Sequence, residues 1–383
     1  MTLKIARRGK VPPFIVMDVM RAADQREAGG GDVLHLEVGQ PGTAAPLKVL
    51  EAAARALSSD RLGYTLALGM EELRNRISRH YLDYYGVGVD PARVAVTTGS
   101  SGAFVLAFLS AFEAGDRVAL ASPGYPAYRN ILKALGVEVV SLEVGPKTNF
   151  QPDPGILDAV SGPIDGLIVA SPSNPTGTML GPGSMEAISK WCAQAGARLI
   201  SDEIYHGITY DRRAETALSF GSDAIVINSF SKYFSMTGWR LGWMVVPESL
   251  LRSVECLAQN MFISPPAISQ MAAIEAFACR DELDANVAAY ARNRELLLRE
   301  LPRAGFDELA SADGAFYIYA DVAHMTNDSP DFCRRMLAET GVAATPGTDF
   351  DPERGPHFVR FSFSGPQGDI AKAAGRLIEW RAG

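Results

Sequence analysis

Long hydrophobic runs, clustered cysteines and an excess of basic charge are all missing from this chain, and each absence narrows what it does. The most apolar run, Ala103 to Phe112, is half of the ~20 residues that a membrane-spanning helix needs. Near the N-terminus, Arg7 and Arg8 are followed by Lys10, Pro12 and Pro13, where a signal peptide would need an apolar stretch. The cysteines Cys192, Cys256, Cys279 and Cys333 are far apart and lack metal-ligand spacing. They read as free thiols in small core positions, in a reducing compartment, and no metal site is expected. Acidic residues outnumber basic ones 44 to 36, for a formal charge of −8, and no basic patch stands out. Neither nucleic acid nor membrane is an expected partner. The expected location is cytoplasmic.

What is present is the composition of a folded globular chain: 47% hydrophobic and 21% charged residues over 383 positions, enough for two or three domains. There is no internal repeat and no low-complexity tract.

Five short apolar runs each end in a polar cluster marked by Gly, Pro or Ser. Val94–Thr97 leads into Thr98-Gly99-Ser100-Ser101-Gly102. Val118–Leu120 leads into Ser122-Pro123-Gly124-Tyr125-Pro126. Gly166–Ala170 leads into Ser171-Pro172-Ser173-Asn174-Pro175-Thr176-Gly177. Arg198–Ile200 leads into Ser201-Asp202-Glu203-Ile204-Tyr205. Ala224–Ile227 leads into Ser229-Phe230-Ser231-Lys232 and on to Arg240. Helical segments lie between most of them. This is the pattern of repeated βαβ units. It predicts an α/β fold with a mainly parallel central sheet flanked by helices. In such sheets ligands bind at the carboxyl ends of the strands, so the five clusters should converge on one crevice. Leu241–Val246 reads as a further, antiparallel strand. Past a long helix from about Glu282 to Leu301, strands over Ala315–Ala320 and Phe358–Phe363 and helices over Asp331–Glu339 and Ile370–Arg381 form a smaller α+β part. The expected division is a large domain over residues 45–285 and a small one formed by both termini, 1–44 and 286–383.

The clusters carry chemistry, each with a plainer alternative. Lys232 just past a strand end is either a desolvated nucleophile that forms a Schiff base or a surface lysine with its stem on aromatics. Arg240, eight residues on, suits a phosphate. The Thr98–Gly102 turn opens a helix, where backbone N–H groups and hydroxyls bind phosphate or merely cap the helix. Asp202 fits a protonated pyridine nitrogen or an N-cap. Tyr205 and Asn174 fit a phenolate oxygen, or a core tyrosine and an Asn-Pro turn. Tyr125 offers a ring to stack on a cofactor face. Gly39 lets the backbone approach something closely or simply turns the chain. Arg360, flanked by Phe358, Phe361 and Phe363, demands a partner: a substrate carboxylate or a structural salt bridge.

Three motifs, Ser-Pro-Ser-Asn-Pro-Thr-Gly, Asp-Glu-Ile-Tyr and Ser-Phe-Ser-Lys-x-Phe-x-Met-Thr-Gly-Trp-Arg-Leu-Gly, stand in one order and spacing. In them the chain resembles the class I/II aminotransferases, pyridoxal-phosphate enzymes of fold type I, from about Pro12 to the C-terminus. The resemblance implies that Lys232 bonds the cofactor and that Asp202 and Tyr205 work with it in catalysis. It implies that Ser100, Ser101, Ser229 and Arg240 hold the phosphate, that Gly99 and Ser231 also belong to the cofactor site, and that Tyr125 stacks on the ring. Asn174 serves both ring oxygen and substrate, and Gly39 and Arg360 hold the substrate carboxylate. Tyr64, in Tyr-x-x-x-x-Gly, looks like the tyrosine that reaches the phosphate of the neighbouring subunit in a homodimer. Two departures from the family pattern, Gln40-Pro41-Gly42-Thr43 and Phe350-Asp351, bear on substrate identity. The implied reaction moves an amino group between an amino acid and a 2-oxo acid with ping-pong kinetics. A β-eliminating lyase or synthase on the same scaffold remains open. So does a ligand-sensing regulator domain, which the short N-terminal arm and acidic charge disfavour.

Overall fold

The computed structural model describes residues 3–382. Its centre is a seven-stranded sheet. In chain order the strands are β1 (Val94–Thr97), β2 (Arg117–Ser122), β3 (Glu138–Glu143), β4 (Gly166–Ala170), β5 (Arg198–Asp202), β6 (Ile225–Ser229) and β7 (Gly242–Val245). They lie side by side as β1-β7-β6-β5-β4-β2-β3. Strand β7 runs against its neighbours, pairing antiparallel with β1 and β6. The other pairings are parallel.

The sequence makes these strands because both sheet faces are covered. A strand buried on both sides reads as a continuous apolar run instead of an alternation. In β4, Leu167 and Val169 enter one apolar cluster and Ile168 the opposite one. Leu199 and Ile200 in β5 divide the same way, as do Val226 and Ile227 in β6. The edge strand β3 has no such signature. It reads Glu-Val-Val-Ser-Leu-Glu, with only Leu142 buried. A charged, half-exposed edge resists pairing with other chains, which is why no apolar run announces it.

A second, four-stranded antiparallel sheet holds Tyr317–Asp321 and Phe358–Ser362 side by side, with Thr345–Pro346 and Glu308–Leu309 outside them. Its apolar cluster takes Tyr290 and Leu297 from the helix Arg280–Glu300 and Ile370, Ala373 and Leu377 from the last helix, Gln367–Ala382. Leu34 and Leu36, from the other end of the sequence, join the same cluster. Leu34 and His35 pair in parallel with Val342 and Ala343. This short ladder is extended by the Leu36 N–H, which donates to the Ala343 carbonyl at 3.0 Å.

Helix α1 (Ile15–Ala28) precedes that segment. Its first residues lack a capping side chain of their own. Instead the buried Asp349 carboxylate, far along the chain, accepts from the N–H groups of Ile15 (3.0 Å) and Val16 (3.2 Å). Those are two of the donors every helix start leaves open. This contact fixes the start of α1 beside the crevice described next. Among the described residues, no helix is long and apolar enough to cross a membrane.

Candidate active site

The carboxyl ends of the parallel strands open into a crevice of about 970 Å3, its open mouth included. All five polar clusters reach it. Ser100 and Ser101, Tyr125, Asn174, Asp202 with Tyr205, and Ser231 with Lys232 and Arg240 line its walls. Gly39 and Arg360 arrive from the part of the chain built on the second sheet.

Lys232 follows β6. Its Nζ donates to the Gly39 carbonyl at 2.5 Å and lies 5.8 Å from the Tyr205 ring centre. Among the described residues it forms no ion pair with a carboxylate. Burial, together with the charges of Arg360 and Arg240, lowers its pKa to about 8. An amine in that condition is partly neutral near physiological pH, as a nucleophile or base requires.

Asp202 ends β5 and is 2% exposed. One carboxylate oxygen accepts from the Ile204 N–H at 3.0 Å. The other accepts from the Tyr128 hydroxyl. Burial raises its pKa to about 6, opposed by those two hydrogen bonds and by the nearby Lys232 charge. No helix begins here, so the N-cap alternative does not hold; the carboxylate closes a local turn with Ile204 and still lies in the crevice.

The helix Gly99–Ala111 aims its N-terminus at the crevice, with Ser100 and Ser101 in its first turn. Gly99 stands at φ +68°, and a Cβ there would come within 2.6 Å of Arg240 Nη2. Glycine is required twice over, by the backbone and by the guanidinium against it. Arg240 also holds a left-handed backbone, φ +53°, and its Nη1 donates to the Thr237 carbonyl at 3.1 Å. A guanidinium, two hydroxyls and a helix N-terminus thus face one point, and together they form an anion cradle.

Arg360 is 3% exposed. Its guanidinium lies between the Tyr317 ring (4.4 Å to the centre) and the Phe350 ring (4.8 Å). Nη1 donates to Asn174 Oδ1 at 2.8 Å, and Nη2 donates to the Glu37 carbonyl and to Thr345 Oγ1 (3.1 Å). Nε is buried without an acceptor among the described residues. No carboxylate of the described residues pairs with it, so the structural salt bridge expected as one alternative is absent there. A buried cation with a free donor is costly unless a ligand anion completes it.

Ser229 and Tyr64 stand apart from the crevice. Ser229 Oγ accepts from the Ser231 N–H at 3.0 Å and donates to the Leu241 carbonyl at 3.4 Å. Tyr64 is 84% exposed. Of the two departures in sequence, Gln40 lines the crevice. Asp351 does not; it is buried and accepts from the N–H groups of Glu353 and Arg354, both at 3.0 Å, and from Arg354 Nε at 2.9 Å. Its role is to hold Arg354 against the carbonyls of Ser122 and Val144.

Sequence reasoning missed six residues that line the crevice. Tyr128 sits one helical turn after Tyr125, on the same face, and that i, i+3 spacing was the available signal. Tyr317 is hidden in an aromatic strand. Phe14, Val16, Met17 and Met20, in and just before α1, form an apolar wall of the crevice.

A lysine-centred crevice at the switch from strand to loop, with an anion cradle and a separate buried arginine, defines an enzyme that acts on small amino or oxo acids. Residues 31–377 match the family model for aminotransferase class I and II, and the chain belongs to that family. It is 53% identical to the valine–pyruvate aminotransferase of Mycobacterium tuberculosis, over 99% of each chain. Among solved structures, it superposes on an aminotransferase from Mycobacterium tuberculosis with TM-score 0.98, at 53% identity over 100% of both chains. The aspartate aminotransferase from Thermus thermophilus with maleate superposes at TM-score 0.92 and 30% identity, over 99% of this chain and 100% of that one. The protein is an aminotransferase with a fold-type-I sheet, and it moves an amino group between an amino acid and a 2-oxo acid.

Proposed function

We propose that the crevice holds pyridoxal 5′-phosphate bonded to the Lys232 amine and that the donor and acceptor are valine and pyruvate. The observation that carries the first part is Lys232 itself: a desolvated amine at a strand end, with no carboxylate partner among the described residues, opposite an anion cradle. The groups present fit that cofactor. Arg240, Ser100, Ser101 and the N–H groups of the helix start would hold the phosphate, with Ser229 and Ser231 shaping the loop beside it. Asp202 would hold the ring nitrogen, Tyr205 and Asn174 the ring oxygen, and Tyr125 the ring face. When bound, the cofactor supplies a carbonyl that accepts the amino group and a ring that draws electrons from the substrate Cα.

The chain's own residues do the rest. Arg360, with Asn174 and the Gly39 backbone beside it, binds the α-carboxylate and orients the Cα–H bond. The freed Lys232 amine would take that proton from Cα as base and then, as acid, deliver it to the cofactor carbon instead of back to Cα. Asp202 stays ionised and keeps the ring nitrogen protonated. One site serves both half-reactions in turn, which gives ping-pong kinetics.

The substrate reading rests on the similarity to the valine–pyruvate enzyme and on the crevice lining. Among the described residues its cations are Lys232, Arg240 and Arg360, and each already has a task. None of these remains for a second carboxylate, while Phe14, Val16, Met17 and Met20 offer an apolar wall to a branched side chain. We further assign residues 45–285 to a cofactor-holding domain and 1–44 with 286–383 to a smaller one; the separate apolar clusters of the two sheets support this. A homodimer with Tyr64 reaching the partner's phosphate is supported by the exposure of Tyr64, Leu47, Leu66 and Ile263. Four free cysteines accord with a cytoplasmic protein. The test loads the enzyme with one amino acid at a time and follows loss of cofactor visible absorbance. Valine should discharge it far faster than aspartate; the reverse order overturns the substrate assignment.

A further inference from the structure

Tyr317 touches three residues that the sequence singled out, Arg360, Tyr205 and Gly39. It opens the strand Tyr317–Asp321, which pairs with the strand carrying Arg360, and it is 1% exposed. The Arg360 guanidinium lies on its face at 4.4 Å. Its hydroxyl meets the Tyr205 hydroxyl at 2.6 Å, and the two rings pack edge to face. Against that hydroxyl lies Gly39, where a Cβ would stand 1.9 Å from the oxygen. The glycine therefore makes room for a phenol, and the carbonyl of that same glycine holds Lys232 Nζ.

A hydroxyl has one proton to give and lone pairs to receive. If Tyr205 gives its proton to the ring oxygen of the cofactor, it can only receive from Tyr317. Tyr317 has no other hydrogen-bond partner for its hydroxyl among the described residues. Its proton then has one destination. Burial raises the pKa of the Tyr317 phenol, so the proton stays on it, while the Arg360 charge and the hydrogen bond with Tyr205 act the other way. A donor into the Tyr205 oxygen polarises the Tyr205 O–H bond and strengthens the next link.

We propose that Tyr317 is a positioning residue whose hydroxyl, seated at Gly39, donates to Tyr205 and aims the Tyr205 proton at the cofactor ring oxygen. This rests on the reading that the crevice holds pyridoxal phosphate with Tyr205 at that oxygen. The same ring is the platform under Arg360, so the carboxylate anchor and the ring-oxygen donor share one rigid support.

Tyr317→Phe keeps the platform and removes only the donor. The first readout is the pH at which the visible absorbance of the bound cofactor changes, in holoenzyme without substrate. Losing one polarising hydrogen bond leaves the anionic ring oxygen less stabilised, so the midpoint should rise by about half a pH unit to one unit. In steady state kcat should fall roughly three- to tenfold while KM for the amino acid stays within about twofold, because Arg360 keeps its aromatic face. In a Tyr205→Phe background the same substitution should add no shift, since the Tyr317 hydroxyl acts through Tyr205. An equal shift in both backgrounds, or none in the wild-type background, overturns the proposal. If Tyr205→Phe alone leaves the midpoint unmoved, Tyr205 is not at the ring oxygen and the role of Tyr317 falls with it. A wild-type protein that gains no visible absorbance with the cofactor overturns the cofactor reading first, and is distinguished by that blank.

Discussion

Arg360 Nη1 and Asn174 Oδ1, 2.8 Å apart, join the two sheets of the molecule across the crevice. Arg360 belongs to a strand of the second sheet, and Asn174 to the loop after β4. The bond presents the guanidinium with Nε still free among the described residues. Removing the side chain, as in Arg360→Ala, would take away the desolvated cation proposed to hold the substrate carboxylate. The expected loss is about 2–5 kcal/mol in kcat/KM for amino acids and oxo acids. Cofactor affinity should be unchanged, since Arg360 does not touch the anion cradle. Steady-state kinetics with valine, beside its decarboxylated amine, checks the role. An enzyme that already accepts the amine as well as the amino acid has no use for a carboxylate anchor.

Asp202 gives a second expectation. On the proposed cofactor reading, Ala in its place would leave the ring nitrogen without its ion partner and weaken the electron draw on Cα. The rate should drop roughly a hundredfold or more while the cofactor still bonds Lys232. Single-turnover absorbance with valine reads both properties in one experiment. Near-normal turnover would take Asp202 out of the chemistry.

The Lys232 pKa sets a pH dependence. The folded value, about 8, lies below the ordinary 10.5. Between those values the unfolded chain binds more protons than the folded one, so this group makes the cofactor-free protein more stable as pH rises across that window. The neutral amine is also the form that bonds the cofactor. The rate of cofactor uptake by apoenzyme should therefore climb with pH and level off above about 8. Borohydride reduction and peptide mapping should place the label on Lys232. A midpoint near the ordinary value, or a label on another lysine, contradicts the assignment.

How much of this was legible beforehand follows from where each signal lives. Strands buried on both faces announce themselves as apolar runs, so β4, β5 and β6 and the clusters after them were readable. Lys232, Asp202 and Asn174 are fixed by their place at those strand ends. The edge strand β3, charged at both ends, was not readable, because half of it faces water. Tyr128 and Tyr317 were hidden for a different reason. Each acts by touching another site residue across a long stretch of chain, Asp202 in one case and Tyr205 in the other. Local pattern carries no record of those pairings; for Tyr128 the only local trace is its i, i+3 spacing from Tyr125. Asp349 is the extreme case: it caps a helix more than three hundred residues away, and nothing in its own neighbourhood hints at that. Asp351 shows the converse. It departs from the family pattern beside the site, yet its carboxylate is committed to Arg354.

The last expectation concerns the assembly. Tyr64 follows Gly63 and precedes Gly69 in a loop between two helices, and its ring is 84% exposed. Nothing among the described residues receives its hydroxyl, and its own crevice is lined without it. A tyrosine left so exposed beside Leu66, itself 68% exposed, fits a surface that a second copy covers. If the hydroxyl reaches the partner's phosphate, Tyr64→Phe removes one hydrogen bond to an anion, and cofactor affinity should fall about tenfold or more. Mixing Tyr64→Phe with Lys232→Ala under subunit exchange then separates action across the interface from action within one chain. In a composite dimer each heterodimer has one site with both lesions and one with neither. A cofactor titration of the mixture should then show sites of wild-type affinity. When Tyr64 serves its own chain, every site that keeps Lys232 also carries the Tyr64→Phe lesion, and no wild-type sites arise. A protein that sediments as a monomer at full activity would rule out the composite site before the mixing is tried.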